Sequence, residues 1–213
     1  MPTESYLNFQ ENTLDTKTLH DLFKSYQLLI FDLDGTLADT MPLHYQACQE
    51  VCQPLGFDFP LDFFYEQAGI PTQQVFINLM SKLGLKHDGV ALAKEKEKRF
   101  QALIPQVKPL PFSLKLLEHF KEEKKIAIGS GGERITVLKT LEALNLKVKY
   151  DAIVTADDVM EHKPRPETFL KCAEITNIEP AHCIVLEDGL QGMIAAKAAE
   201  MDCFDVIRME FFR

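Results

Sequence analysis

The chain has 213 residues, enough for one α/β domain with an insertion or for two small domains. Its 46% hydrophobic content can fill a core, which excludes disorder as the default state. With 32 acidic against 23 basic residues the formal charge is −9, which speaks against a nucleic-acid partner but leaves room for a small anion held by local charges.

Residues 1–12 read as a polar tail, without the basic start and apolar stretch of a targeting signal. Leu14, Leu19, Leu22, Phe23 and Tyr26 then recur at helical spacing and predict a short helix packed on the body. Tail and helix together make up residues 1–26. No segment approaches the roughly 18 apolar residues of a membrane span. The five cysteines (Cys48, Cys52, Cys172, Cys183 and Cys203) are odd in number and lack close CxxC pairs, as expected of reduced thiols. The expectation is a cytoplasmic protein with no membrane partner, a monomer or a weak dimer.

Four short apolar runs predict buried parallel strands: QLLIFD (27–32), KIAIGS (125–130), DAIVTA (151–156) and CIVLED (183–188). A fifth run, CFDVIRM (203–209), is less regular. Helical patterns lie between them at 114–123, 133–144, 166–175 and 190–201. This alternation predicts an α/β fold, a Rossmann-like doubly wound parallel sheet. Residues 42–108 break the rhythm, because they contain helical patterns punctuated by Pro and Gly and no strand. In one of them Val75, Phe76, Leu79, Met80 and Leu83 share a face. They predict a small inserted α-helical domain, leaving 27–41 and 109–213 as the α/β core. Within the insertion, KEKEKR (94–99) reads as a solvated helix face.

Ligands of open α/β sheets bind beyond the carboxyl ends of the strands. Four strand ends carry chemistry here: Asp32, Asp34, Gly35 and Thr36 after the first; Ser130, Gly131 and Gly132 after the second; Lys163 near the third; Glu187 and Asp188 after the fourth. Each element alone is a common turn or loop, and their convergence is what points to phosphoryl transfer. Clustered oxygen ligands suit Mg²⁺, which takes one or two carboxylates together with substrate phosphate. Asp32 and Asp188 fill that part, with Asp34 through its backbone oxygen and Glu187 either directly or from behind. Asp32 is then a nucleophile at phosphorus, and Asp34 an acid for the leaving alkoxide and a base for water. Ser130, the amides at Gly131 and Gly132, and Lys163 are phosphate holders, and Gly35 lets the chain turn toward the same phosphate.

With these residues in place the chain resembles the haloacid dehalogenase superfamily: DLDGT (32–36), Ser130, Lys163 and Glu187–Asp188 match its four motifs in order. The resemblance covers about residues 27–208. It implies a Rossmann-like core with a helical cap, Asp32 as nucleophile, Asp34 as acid/base, Ser130 and Lys163 on phosphate, and Mg²⁺ on Asp32, Asp34 and Asp188. LADTMPLHYQA (37–47) and EHKPRPETF (161–169) resemble the β-phosphoglucomutase-like branch, and within it the bacterial fructose-1-phosphate phosphatase group. His44 matches a histidine which that branch places near the acid/base aspartate, so it serves either the substrate or the cap hinge. The mutases carry a basic residue in the segment matching AGIPTQQ (68–74), and this chain has none there. His162 and Glu200 stand where relatives commonly have glycine.

The resemblance and the residues together predict a Mg²⁺-dependent phosphatase of small phosphorylated metabolites, sugar phosphates first. The alternatives are a hexose-phosphate mutase, which needs a second phosphate clamp, and a non-enzymatic binding protein on the same scaffold.

Overall fold

The computed structural model describes residues 14–67 and 70–213. The predicted tail 1–12, Thr13 of the first helix, and Ala68 and Gly69 of the AGIPTQQ stretch lie outside the described residues. The chain divides into two compact units, 1–39 with 108–213, and 40–107.

The first unit is built on a six-stranded sheet. Its strands are β1 (Leu28–Phe31), β2 (Lys125–Gly129), β3 (Ala152–Val154), β4 (Cys183–Glu187), β5 (Asp202–Asp205) and β6 (Glu210–Phe211), in the order β3-β2-β1-β4-β5-β6. β1 to β5 pair in parallel, with Phe31 level with Ile128 on one side and with Leu186 on the other. All four residues of β1 are buried, which explains its unbroken apolar run: a strand covered on both faces has no solvent side to mark with polar residues. β6 pairs antiparallel with β5 and was not foreseen, because two residues carry no period. The chain leaves β1 for a neighbour on one side, β2, and later adds β4 on the other. The sheet therefore reverses its winding between β1 and β4, and a crevice opens at their carboxyl ends.

Helix α1 (Thr16–Phe23) begins at Asp15, whose carboxylate accepts from the N–H groups of Lys17 and Thr18. It buries Leu19 and Phe23, and the Phe23 ring meets Phe204 of β5 edge to face at 5.2 Å. The Tyr26 hydroxyl then donates to Asp202 at 2.6 Å.

The second unit holds α2 (Met41–Cys52), α3 (Leu61–Glu66), α4 (Thr72–Leu83) and α5 (Gly89–Leu103). Its core is aromatic, with the rings of Phe59 and Phe76 packed edge to face at 5.5 Å. Val75, Phe76, Leu79 and Met80 are buried as their spacing predicts. Leu83 is 40% exposed, because α4 ends there and the chain turns at Gly84 (φ 65°). KEKEKR is not wholly a solvated face either. Lys96 is 4% exposed, because the buried stripe of α5 runs Gly89, Ala93, Lys96, Phe100, Leu103 and turns this one lysine inward.

The first unit continues with α6 (Pro111–Phe120), α7 (Arg134–Leu144), α8 (Glu167–Thr176) and α9 (Leu190–Ala198). The pattern at 114–123 starts earlier than its apolar residues suggest, because Pro111 occupies the first turn, where its missing N–H costs nothing. α9 ends in a left-handed residue, Glu200 at φ 58°, with Glu200 N–H bonded to the Lys197 carbonyl and Met201 N–H to the Ala196 carbonyl. Glycine is the usual occupant of such a position, because it has no Cβ to crowd the carbonyl.

Candidate active site at the strand ends

Asp32 follows β1 directly, and its N–H still donates to the Leu186 carbonyl of β4 at 3.0 Å. The strand ladder thus fixes the backbone from which the Asp32 side chain leaves. The chain then folds on itself: the N–H groups of Thr36, Leu37 and Ala38 all donate to the Leu33 carbonyl, and Gly35 N–H donates to the Ala38 carbonyl. Gly35 sits at φ 85°, a conformation with a steric penalty for any side chain. Ser113 of α6, fully buried, donates its hydroxyl to the Thr36 carbonyl at 2.6 Å and pins this turn from behind.

The Lys163 ammonium donates to Asp32 Oδ1 at 2.6 Å and to Glu187 Oε1 at 2.8 Å, tying the ends of β1 and β4 together. It also lies 4.7 Å from the ring centre of Phe169. Glu187 is held a second time, because the Gly189 N–H donates to its Oε2 at 2.7 Å. Asp188 accepts from the Thr36 hydroxyl at 2.9 Å. Asp32, Glu187 and Asp188 each present an oxygen within 4.8 Å of the others. Asp34 lies toward the second strand end instead. A Cβ built on Gly132 would come 3.8 Å from Asp34 Oδ2 and 3.3 Å from Ser130 Oγ, which places the three residues around one spot. Ser130, 1% exposed, accepts the Gly132 N–H on its hydroxyl at 3.0 Å, so its own O–H is free to turn toward a ligand. A Cβ at Gly131 would meet nothing within 4 Å.

Burial is the largest influence on Asp32 and raises its pKa well above the ordinary carboxylate range; Lys163 opposes this, and Glu187 and Asp188 add to it. Asp188 is raised for the same reason, burial first and the Glu187 charge next. Burial works against the Lys163 ammonium, but Asp32 and Glu187 outweigh it and raise its pKa. A buried ion pair is a weak stabiliser, since desolvation offsets the attraction. Such a cluster at a sheet crevice has the character of a functional site. Fully ionised, the three carboxylates against one ammonium leave a net charge of −2. An all-oxygen donor set with that excess fits a hard divalent cation such as Mg²⁺.

His44, on α2 in the second unit, stacks on Phe100 with ring centres 3.6 Å apart. Its Nδ1 lies 2.7 Å from the Lys96 ammonium, which also pairs with Glu97 at 3.1 Å; Glu97 in turn accepts from the Thr72 hydroxyl at 2.7 Å. Sequence reasoning singled out His44 and missed Lys96. It also gave Thr36 no task of its own, although Thr36 stands within the quoted DLDGT.

A family profile described as haloacid dehalogenase-like hydrolase matches residues 29–206. The chain is 36% identical to the fructose-1-phosphate phosphatase of Escherichia coli K12 over 186 residues, 87% of this chain and 98% of that one. It is 31% identical to the phosphorylated carbohydrates phosphatase of Thermotoga maritima, covering 83% of this chain and 82% of that one. Among solved structures, a β-phosphoglucomutase from Clostridium difficile matches with a TM-score of 0.72 at 29% identity, over 84% of this chain and 83% of that one.

Proposed function

The chain belongs to the haloacid dehalogenase-like hydrolases and is a phosphoric monoester hydrolase; from that premise we propose that it hydrolyses small phosphorylated sugars with Mg²⁺, through an aspartyl-phosphate on Asp32. The observation that carries this reading is the Lys163 ammonium set between Asp32 at 2.6 Å and Glu187 at 2.8 Å, with Asp188 beside them.

Asp32 attacks phosphorus with a carboxylate oxygen, and the P–O bond to the sugar breaks as the P–O bond to Asp32 forms. Asp34 gives its proton to the departing sugar oxygen and then takes one from the water that cleaves the acyl phosphate, regenerating Asp32 and releasing phosphate. Ser130, the amides at Gly131 and Gly132, and Lys163 bind the oxygens of the transferring group, whose charge spreads over them in the transition state. Asp32, Asp188, Glu187 and the backbone oxygen of Asp34 would hold the metal. Bound Mg²⁺ supplies positive charge that keeps the buried carboxylates ionised and lowers their repulsion of the phosphate. Thr36 aims Asp188 through its hydroxyl. Residues 42–108, read as a cap, select the sugar, and the buried Lys96 ammonium holds His44 in place among them.

The second reading is the mutase. A mutase must grip a second phosphate with a cation; the AGIPTQQ stretch carries no Lys or Arg, and the Lys96 ammonium is engaged by Glu97 at 3.1 Å and by His44 at 2.7 Å.

The test is phosphate release by purified protein from a panel of sugar phosphates, with and without Mg²⁺. Metal-dependent release from at least one hexose phosphate is expected. No release across the panel overturns the reading, and 1- to 6-phosphate interconversion faster than hydrolysis replaces it with the mutase.

A further inference from the structure

We propose that Gly192, on α9, is a positioning residue for the reaction: it is the gap in the helix that admits the Glu187 carboxylate. The inference deepens the phosphatase reading and rests on it. A Cβ built on Gly192 would lie 1.7 Å from Glu187 Oε1, 2.1 Å from its Cδ and 2.7 Å from its Cγ. All three are far below van der Waals contact, and they run along the whole end of one side chain. Glu187 has no room to retreat without breaking other bonds. Its side chain is 4% exposed, its Oε2 takes the Gly189 N–H at 2.7 Å, and its Oε1 takes the Lys163 ammonium at 2.8 Å. The same ammonium reaches Asp32 at 2.6 Å. A methyl at Gly192 therefore acts at a distance. It pushes Glu187 off its two donors, frees Lys163 from one of its two anchors, and opens the acidic group that is to hold the metal. Helix formation gives no reason for a glycine here, since alanine is the better helix former. The requirement comes from the carboxylate.

The test is Gly192→Ala, read by Mg²⁺ alone through the metal-dependent rise in Tm, with Mg²⁺ dependence of hydrolysis as a second reading. At least a tenfold increase in the Mg²⁺ concentration giving half of the rise is expected. The same substitution is then made beside Glu187→Ala. With Glu187 present it lowers Tm by several degrees, and with the side chain removed that penalty disappears. An unchanged Mg²⁺ response, or a Tm penalty equal in both backgrounds, overturns the proposal. Should Gly192→Ala not fold, the proposal requires the double variant to fold, and a misfolded double variant overturns it. The thermal reading needs no substrate. A wild type that binds Mg²⁺ but hydrolyses nothing would sink the phosphatase reading while leaving the Gly192–Glu187 fit to be judged on the cycle.

Discussion

The strand-end cluster of the first unit and the polar pair inside the helical unit each centre on a buried ammonium, and they are built in opposite ways. At the strand ends, three carboxylates exceed one ammonium, and burial pushes Asp32 and Asp188 toward protonation. In the helical unit, one ammonium, 5% exposed, meets one carboxylate that is 36% exposed, with a histidine alongside. The first arrangement is unbalanced, and its oxygen donors fit a further cation. The second is balanced within the unit. Charge imbalance, more than burial, separates a site for chemistry from a group that shapes its surroundings.

The comparison breaks first at Asp32. Asp32→Asn keeps the shape and removes the proposed nucleophile; a loss of about 10³-fold or more in kcat is expected, with folding retained. Comparable turnover by the variant would show that the imbalance serves something else. In the helical unit the large effect should be on stability. Phe76 is fully buried in the aromatic core, and Phe76→Ala should cost about 3–5 kcal/mol in urea unfolding of that unit. Lys96→Met keeps the packing over Phe100 and removes the charge, while half-exposed Glu97 regains water. A loss of about 2 kcal/mol is expected, with a rise in KM larger than any fall in kcat. An effect on kcat alone would assign Lys96 to the chemistry.

Smaller effects sharpen the contrast with ordinary structural positions. Glu200→Gly relieves a left-handed backbone at φ 58° and should stabilise by about 1 kcal/mol, read as a Tm increase of about 2–4 °C. The smallest concerns Asp158, whose carboxyl is held at about 2 chiefly by the Arg134 guanidinium 2.5 Å away, with Thr155 adding to it. A depressed carboxyl stabilises the fold above its unfolded value of 3.8 and loses that contribution as pH falls toward 2. Wild type should therefore exceed Asp158→Asn in unfolding free energy at neutral pH, by less than about 1 kcal/mol given solvent screening, and the gap, read by urea unfolding, should close as pH falls below about 4.

Much of the first unit was legible because its signals are local. LLIF runs directly into Asp32, and a strand covered on both faces can only read as an apolar run. The order of the strands then delivers Asp32, Ser130 and Glu187 to one edge without any further information. Lys96 was hidden by its neighbours, since all six residues in KEKEKR are charged and such a run reads as a solvated face. The stripe Gly89, Ala93, Lys96, Phe100 and Leu103 was nevertheless present at helical spacing, and reading position before composition would have found it. Gly192 left no comparable trace. Its importance depends on where a glutamate five residues earlier lies in space, which no spacing rule encodes. β6 failed for a third reason: two residues are too few to show an alternation.

All five cysteines are buried free thiols, and burial raises their pKa, to about 12 for Cys48, Cys52 and Cys172 and about 11 for Cys183. Thiolates are the species that react with alkylating reagents, so the folded chain should be nearly inert to them. Cys48 and Cys52 belong to the helical unit, and Cys172, Cys183 and Cys203 to the sheet unit. Alkylation followed by peptide mass then times the opening of each unit separately, in one sample and without any engineered label. The protein carries its own two-channel clock for asking which half lets go first.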